Sequence, residues 1–356
     1  MANMDYGREL DDLVKIVANE NASDLHLTEG RYPTIRVAGF LVPLVKKSLL
    51  TKEDTLGFFG IMVSKEVREK FLQNKECDFA YQHQDRTRFR GNAFFQRGSI
   101  SIALRLIPQR IRSIEELNLP PVLETFARKK QGFFLVVGPV GQGKTTTLAS
   151  LIELINNERA DHILTIEDPI EYIYEPKKCI IDQREVRVDT DDFGTALHSM
   201  FRQDIDVAMI GEMRGSETIG TAVTAAETGH LIFSTLHTNN AAQTIDRVID
   251  SFPAEQQDQI RLQLSSSLTG IFSQRLISRI SGGLIPAYEL LINNNAVANL
   301  IRERRSHEIN TVIETGMDQG MIDLNRSLSD LVRRGEITAE NAYMHSLNPR
   351  ILDRLL

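Results

Sequence analysis

QGFFLVVGPVGQGKTTTLAS, residues Gln131 to Ser150, opens with a short apolar and β-branched run, Gly132 to Val137, closed by Gly138 and Pro139. That pattern predicts a buried parallel strand ending in a turn, and a helical pattern follows it. Between the two, Gly138, Gly143, Lys144 and Thr145 satisfy G-x-x-x-x-G-K-[ST], in the strand-to-helix setting that the motif's mechanism needs. In such a loop glycines let backbone N–H groups converge on phosphate oxygens, and the helix amino terminus adds the positive end of its dipole. Lys144 then reaches the β and γ positions, and Thr145 holds Mg²⁺. The expected nucleotide-binding residues are Gly138, Pro139, Val140, Gly141, Gln142, Gly143, Lys144, Thr145 and Thr146, with ATP and Mg²⁺ as the expected cofactors.

Around this stretch the chain has 356 residues, 42% hydrophobic and 25% charged, which suits a soluble globular protein of about two domains. A net charge of -7 argues against the phosphate backbone of a nucleic acid as main partner. Cys77 and Cys179 are the only cysteines, so no C-x-x-C pair and no four-cysteine zinc site can form. The first twenty residues carry acids and lack a signal-peptide core, and no apolar run reaches the roughly 18 to 20 residues of a membrane-spanning helix. A cytoplasmic protein that acts at membranes only through partners is expected.

Upstream, Leu10, Leu13, Val14, Ile16 and Val17 form a broad helical stripe, ended by turn residues Asn21 to Ser23. Asp24 to Val42 alternates like short antiparallel strands. Helices are expected from Thr51 and around Ser64 to Gln73, and a further strand set from Phe79 to Ile107. This makes residues 1–107 an α+β domain. Residues 108–121, PQRIRSIEELNLPP, read as a linker with a capping box from Ser113 to Glu116.

Downstream, strands at His162 to Ile166, Val207 to Ile210 and Leu231 to Leu236 alternate with helices, including one from about Glu217 to Thr228. The alternation predicts an α/β domain, residues 122–292, whose mainly parallel sheet gathers ligands at the carboxyl ends of its strands. Ile260, Leu264, Leu268, Ile271 and Phe272 suggest one long helix, Leu284 to Ile292 a late strand, and residues 293–356 a helical tail.

Polar clusters fall at those strand ends. Thr165 to Glu171 places Glu167, Asp168 and Glu171 within five positions after an apolar strand, which favours a role with the metal or the attacking water over a merely solvated turn. Val207 to Arg214, VAMIGEMR, delivers Glu212 to the sheet edge as the expected general base; Gly211 stands where many P-loop enzymes have an aspartate. His230 and His237 flank LIFSTL, so they emerge near opposite strand ends rather than as a metal pair. His237 at the carboxyl end suits a γ-phosphate contact, and His230 divides evenly between structural and functional roles. Arg88, Arg90, Arg97 and Arg105 alternate through the N-terminal strands. They either solvate one sheet face or, as Arg88, Arg90 or Arg105, supply transition-state charge to a neighbouring subunit.

In series, ASDLHL (Ala22 to Leu27), RFRGNAF (Arg88 to Phe94), the P-loop, TIEDPIEY (Thr165 to Tyr172), IGEMR (Ile210 to Arg214) and ETGHLIFSTLHTNNA (Glu227 to Ala241) resemble the secretion-type motor ATPases. Within these the chain is similar to the retraction ATPases of bacterial type IV pili, over nearly its whole length. The resemblance implies a RecA-like P-loop ATPase core, an N-terminal PAS-like domain and assembly as a homohexamer. It also implies ATP hydrolysis coupled to disassembly of the pilin polymer, hence twitching motility, at an inner-membrane platform protein. Glu212 would be the catalytic glutamate, Glu167 and Glu171 acids near Mg²⁺, and the arginines groups that act across an interface. Two departures stand out: GPVGQGKTTT in place of GPTGSGKST, and AVANLIRE, Ala296 to Glu303, in place of the retraction-associated AIRNLIRE. The second keeps an accessory motor of the same family as an alternative, beside a RecA-like nucleic-acid motor and a non-catalytic nucleotide-dependent scaffold.

Overall fold

The structure is a computed structural model that describes residues 5–20, 22–37, 39–83, 87–107, 110–213 and 215–356. Asn21 of the first turn, Pro108 of the linker and Arg214 of IGEMR lie outside the described residues. The chain divides into two compact units, Met1–Arg110 and Ile111–Leu356.

In the first unit, α1 (Tyr6–Asn19) starts where the Asp5 side chain accepts a hydrogen bond from the Arg8 N–H, and it buries Leu10, Leu13, Val14 and Val17. Strands β1 (Asp24–Thr28), β2 (Thr34–Val37) and β3 (Phe40–Pro43) follow. A capping box between Thr51 and Asp54 opens α2 (Lys52–Met62), and Ser64 caps α3 (Lys65–Asn74). With β4 (Glu76–Gln82), β5 (Arg88–Gln96) and β6 (Ser99–Ile107) the strands form one antiparallel sheet, ordered β3-β2-β1-β6-β5-β4. Leu25, Leu27, Phe89, Ile102 and Leu104 point into a core shared with Phe58, Phe59 and Phe71 of the helices. The strand period of two therefore sends Asp24, Arg105 and Arg90, which lie in register across β1, β6 and β5, to the opposite face.

The second unit begins with α4 (Leu123–Ala127), β7 (Gly132–Val137) and α5 (Lys144–Glu158). It continues through β8 (His162–Glu167), β9 (Ile180–Glu185), α6 (Phe193–Met200), β10 (Val207–Ile210), α7 (Ser216–Glu227) and β11 (Leu231–Leu236). Next come α8 (Ala241–Asp250), α9 (Ala254–Ser267), β12 (Leu268–Ser278) and β13 (Leu284–Ile292). The tail is α10 (Asn295–Arg302), α11 (Ile309–Thr315), α12 (Leu324–Arg333), α13 (Ala339–His345) and α14 (Pro349–Leu355). The sheet order is β13-β12-β7-β11-β10-β8-β9, parallel throughout except for the antiparallel β12–β13 pair.

Helices cover both faces, as β7 makes plain. Phe133, Leu135 and Val137 enter the core built with α6, α7 and α8, while Phe134 and Val136 enter the core built with α4 and α5. Burying each such side chain contributes about 1.5–3 kcal/mol. Every residue of β7 is buried, so the loop that leaves it has a rigid root.

Two sequence expectations change here. The helix expected through Leu268, Ile271 and Phe272 stops at Ser267, because Ser265, Ser266 and Ser267 turn their hydroxyls back onto the carbonyls of Leu262 and Gln263. From Leu268 onward the chain instead pairs with β7, Leu268 opposite Phe133 and Ile271 opposite Leu135. A Cβ on Gly270 would stand 2.8 Å from the Leu291 carbonyl oxygen, so this strand approaches β13 closely. Residues 111–121, expected as a linker, belong to the second unit, with Ile114 and Leu119 buried in the core that holds Phe134. Ser113 and Glu116 do bond reciprocally, at 2.9 and 3.1 Å, but they close a turn and no α-helix follows directly.

Glu289 on β13 ties the sheet to α8, since its Oε1 accepts the Ala241 N–H at 2.7 Å. Burial pushes its pKa from 4.5 to about 7, against the Ala241 hydrogen bond, and the charge of Asp323 pushes the same way as burial. An acid whose folded pKa is raised holds its proton more tightly when folded. Stability therefore falls by about 1.4 kcal/mol per pH unit between the unfolded and folded values, and levels off above the latter. Glu289→Gln is expected to raise Tm by a few degrees at pH 8 and to give no gain near pH 4.5, as read by thermal unfolding. Equal Tm shifts at both pH values would contradict this account.

Candidate active site

Strand β7 ends at Val137, opposite Leu236 of β11 and Ser273 of β12, and the chain then turns at Gly138 with φ 144°. Such a φ is open mainly to glycine. Helix α5 begins at Lys144 behind Gly143, with no side chain capping its amino end and no acid in its first turn. Its first N–H groups and its dipole thus face the loop, ready for an anion.

The buried Lys144 lays its Nζ 2.8 Å from the carbonyl oxygens of both Gly138 and Pro139, donating to each. A third contact, 3.3 Å, runs to Nδ1 of His237 at the end of β11. An ammonium only donates, so Nδ1 is the accepting atom of this contact. Nε2 faces Glu212, 4.0 Å from Oε2. Burial lowers the pKa of Lys144, opposed by the charges of Glu171 and then Glu212. One cation, one imidazole and two carboxylates thus share the carboxyl edge of the sheet.

Each is held by its backbone. The Gly211 N–H donates to the Ile166 carbonyl at 2.8 Å, and the Thr235 hydroxyl donates to the Gly211 carbonyl at 2.7 Å, which fixes the strand end that carries Glu212. The Glu171 N–H donates to Oε2 of Glu167 at 3.2 Å. Tyr172 joins its hydroxyl to that of Thr146 at 3.0 Å, tying the acidic loop to the first turn of α5.

The other expected site residues have surroundings of their own. Glu167 is 3% exposed, and its Oε1 accepts the Thr165 hydroxyl at 2.7 Å while Oε2 holds the Glu171 N–H. Burial raises its pKa to about 7, with these bonds opposing and the charge of Glu171 adding. Both carboxylate oxygens of Glu167 are thus engaged within the loop that carries Glu171. Asp168 pairs outward with Arg187 at 3.2 Å. His230 lies at the amino end of β11, its Nδ1 3.0 Å from the Ala225 carbonyl and its ring edge-on to Phe201. Six strand residues separate it from His237, about 20 Å at the strand rise. Arg88, Arg90 and Arg105 belong to the first unit and Lys144 to the second. The Arg105 Nε–H donates to Asp24 Oδ1 at 3.0 Å. Gln142, expected at the phosphates, turns its side chain to β12, where Oε1 accepts the Leu276 N–H at 2.7 Å.

Two glutamines that no sequence motif marks also brace the site. Gln183 of β9 donates to the Tyr172 carbonyl and accepts the Tyr174 N–H, at 2.8 and 3.0 Å. Gln274 of β12 reaches the P-loop itself, its Nε2 donating to the Gln142 carbonyl at 2.8 Å. Among the described residues no cluster of three or more His, Cys, Asp or Glu is arranged to hold a metal, and no helix is long and apolar enough to cross a membrane.

The chain is 44% identical, over 94% of its length and 97% of the other's, to the type IV pilus retraction ATPase PilT of Pseudomonas aeruginosa. It is 40% identical to the type IV pilus ATPase PilU of the same organism, over 95% of this chain and 88% of that one. A crystal structure of the pilus retraction motor PilT with bound ADP superposes with a TM-score of 0.91 at 44% identity, covering 96% of this chain and 98% of that one. With residues 6–336 matching the family described as Type II/IV secretion system protein, the chain belongs to that family and is an ATP-hydrolysing member of it.

Proposed function

We propose that this chain is the motor subunit that powers type IV pilus retraction, hydrolysing ATP at the P-loop edge of the second unit. The observation that carries the proposal is the Lys144–His237–Glu212 cluster on an open helix amino terminus, in a chain 44% identical to a pilus retraction ATPase over nearly its full length. Loop amides and Lys144 grip the triphosphate. Glu212 takes a proton from the water that attacks the γ-phosphorus as the bond to ADP breaks, and His237 stands between that carboxylate and the ammonium. The donor set suits Mg²⁺, which favours oxygen ligands and keeps phosphate oxygens and water in its shell. The Thr145 hydroxyl and Glu171 would hold it, and it would supply charge neutralisation on the phosphates.

The chain works as a homohexamer in this reading, at the cytoplasmic base of the pilus machine. It engages an inner-membrane platform protein, and through it the pilin polymer. Arg88, Arg90 or Arg105 then adds charge at a neighbouring subunit's nucleotide. Unchanged turnover in Arg105→Ala rings would remove that residue from the role. The alternative, an accessory pilus motor, is favoured by AVANLIRE, Ala296 to Glu303, which runs along α10 and its C-cap. Deleting the gene in a piliated host distinguishes them. A retraction motor is expected to leave hyperpiliated cells that do not twitch, an accessory motor cells that still twitch, and bald cells would overturn retraction.

A further inference from the structure

The parallel pairing of β12 with β7 ends at Ser273 opposite Val137, yet β12 runs on to Ser278. Past Ser273 its edge has lost its strand neighbour, and the P-loop takes that place. The Leu276 N–H donates to Oε1 of Gln142 at 2.7 Å, and Nε2 of Gln274 donates to the Gln142 carbonyl at 2.8 Å. The other end of the Gln274 amide accepts the Thr147 hydroxyl of α5 at 2.6 Å, and Gln274 is 3% exposed. A loop residue is thus bonded to one strand through both its main chain and its side chain.

Beyond Leu276 the same strand leads into a separate core. Ile277 packs with Ile285 and Ala287 of β13 and with Leu324, Leu328 and Leu331 of α12. Polar contacts fasten this end too: Arg279 pairs with Glu336 at 2.6 Å, and the Asn341 amide donates to the Ser278 carbonyl at 3.2 Å. Gln274 and Ile277 are three residues apart, about 10 Å along a strand. Hydrogen-bonded and packed residues thus run without a break from the P-loop to α12.

From this we infer that Gln142 and Gln274 are positioning residues that transmit nucleotide occupancy along β12 to the helices α12 to α14. A loop that tightens on phosphates moves the Gln142 peptide. Both of its bonds are to β12, so the strand and the small core at its end shift with it. The helical tail thereby becomes the output element for whatever the ring engages. This rests on nucleotide binding at the P-loop, and the test separates the two.

Hydrogen–deuterium exchange is measured on the full chain with and without MgADP. In the wild type, ADP is expected to slow exchange in the P-loop, in 274–278 of β12 and in α12. In Gln142→Ala the P-loop still responds, while the response of β12 and α12 falls about five-fold or more. Gln142→Glu keeps an acceptor for the Leu276 N–H and is expected to keep the distant response. In Gln142→Ala kcat falls more than ADP affinity does. A full α12 response in Gln142→Ala, or none in the wild type despite a protected P-loop, overturns the coupling alone. Absence of any P-loop protection in the wild type overturns the nucleotide site and the coupling together.

Discussion

Replacing Glu212 with glutamine is expected to lower ATP turnover by about 10²–10⁴-fold while nucleotide still binds, because the neutral amide keeps the shape of the side chain and cannot accept a proton. The carboxylate stands 4.0 Å from His237 Nε2, on a strand end locked by the Gly211 and Thr235 hydrogen bonds, so the substitution leaves its backbone in place. Binding is spared for an electrostatic reason. Glu212 and Glu171 both raise the pKa of Lys144 against its burial, and both repel a triphosphate. Removing one charge relieves repulsion and leaves the loop amides untouched. Phosphate release and fluorescent-nucleotide affinity, measured on the same preparation, check the split. Glu167→Gln is the control: that carboxyl is buried in bonds to Thr165 and Glu171, so its loss acts on the loop and costs far less turnover than Glu212→Gln. Turnover of Glu212→Gln within tenfold of wild type would remove it as the general base.

The contrast between these two acids marks how far the sequence could be read. The P-loop is legible because its strand, glycines, lysine and helix are contiguous, so periodicity and chemistry are read from one window. Glu212 and His237 are legible as strand-end residues, since parallel strands bring their carboxyl ends together. Glu167 carries the same chemistry and the same position, and only burial sets its work apart from that of Glu171. Gln274 was out of reach, because its partner Gln142 lies 132 residues away and a lone glutamine on an apolar strand announces nothing. Strand β12 is ambiguous for a different reason: the spacing of Leu264, Leu268 and Ile271 fits a helix as well as a buried strand. The choice is made by pairing with β7. At β9 the polar residues of IIDQRE hide an edge strand whose side chains brace the acidic loop.

Gly138→Ala is expected to be the most damaging single change in the loop, abolishing nucleotide binding and lowering Tm. A Cβ at this position would stand 2.4 Å from the carbonyl oxygen of Gln274, and the residue has φ 144°. Neither partner can yield cheaply. β7 is flanked by β11 and β12, and the offending atom is backbone on a strand that also pairs with β13. Strain in such a region costs about 1–3 kcal/mol and overpacking a similar amount, so a loss of roughly 2–5 kcal/mol follows, or about 5–15 °C in Tm for a unit of this size. Relief comes most easily by swinging the loop away from β12, which pulls the Gly138 and Pro139 carbonyls off Lys144 and breaks the Gln142–Gln274 contact. Gly141→Ala supplies the comparison. It also has positive φ, 77°, but a Cβ there meets nothing within 4 Å, so only the backbone term of about 1–2 kcal/mol applies. Thermal unfolding and fluorescent-ADP titration of the two variants side by side separate steric overlap from conformational preference, and equal losses in both would show that β12 does not confine the loop.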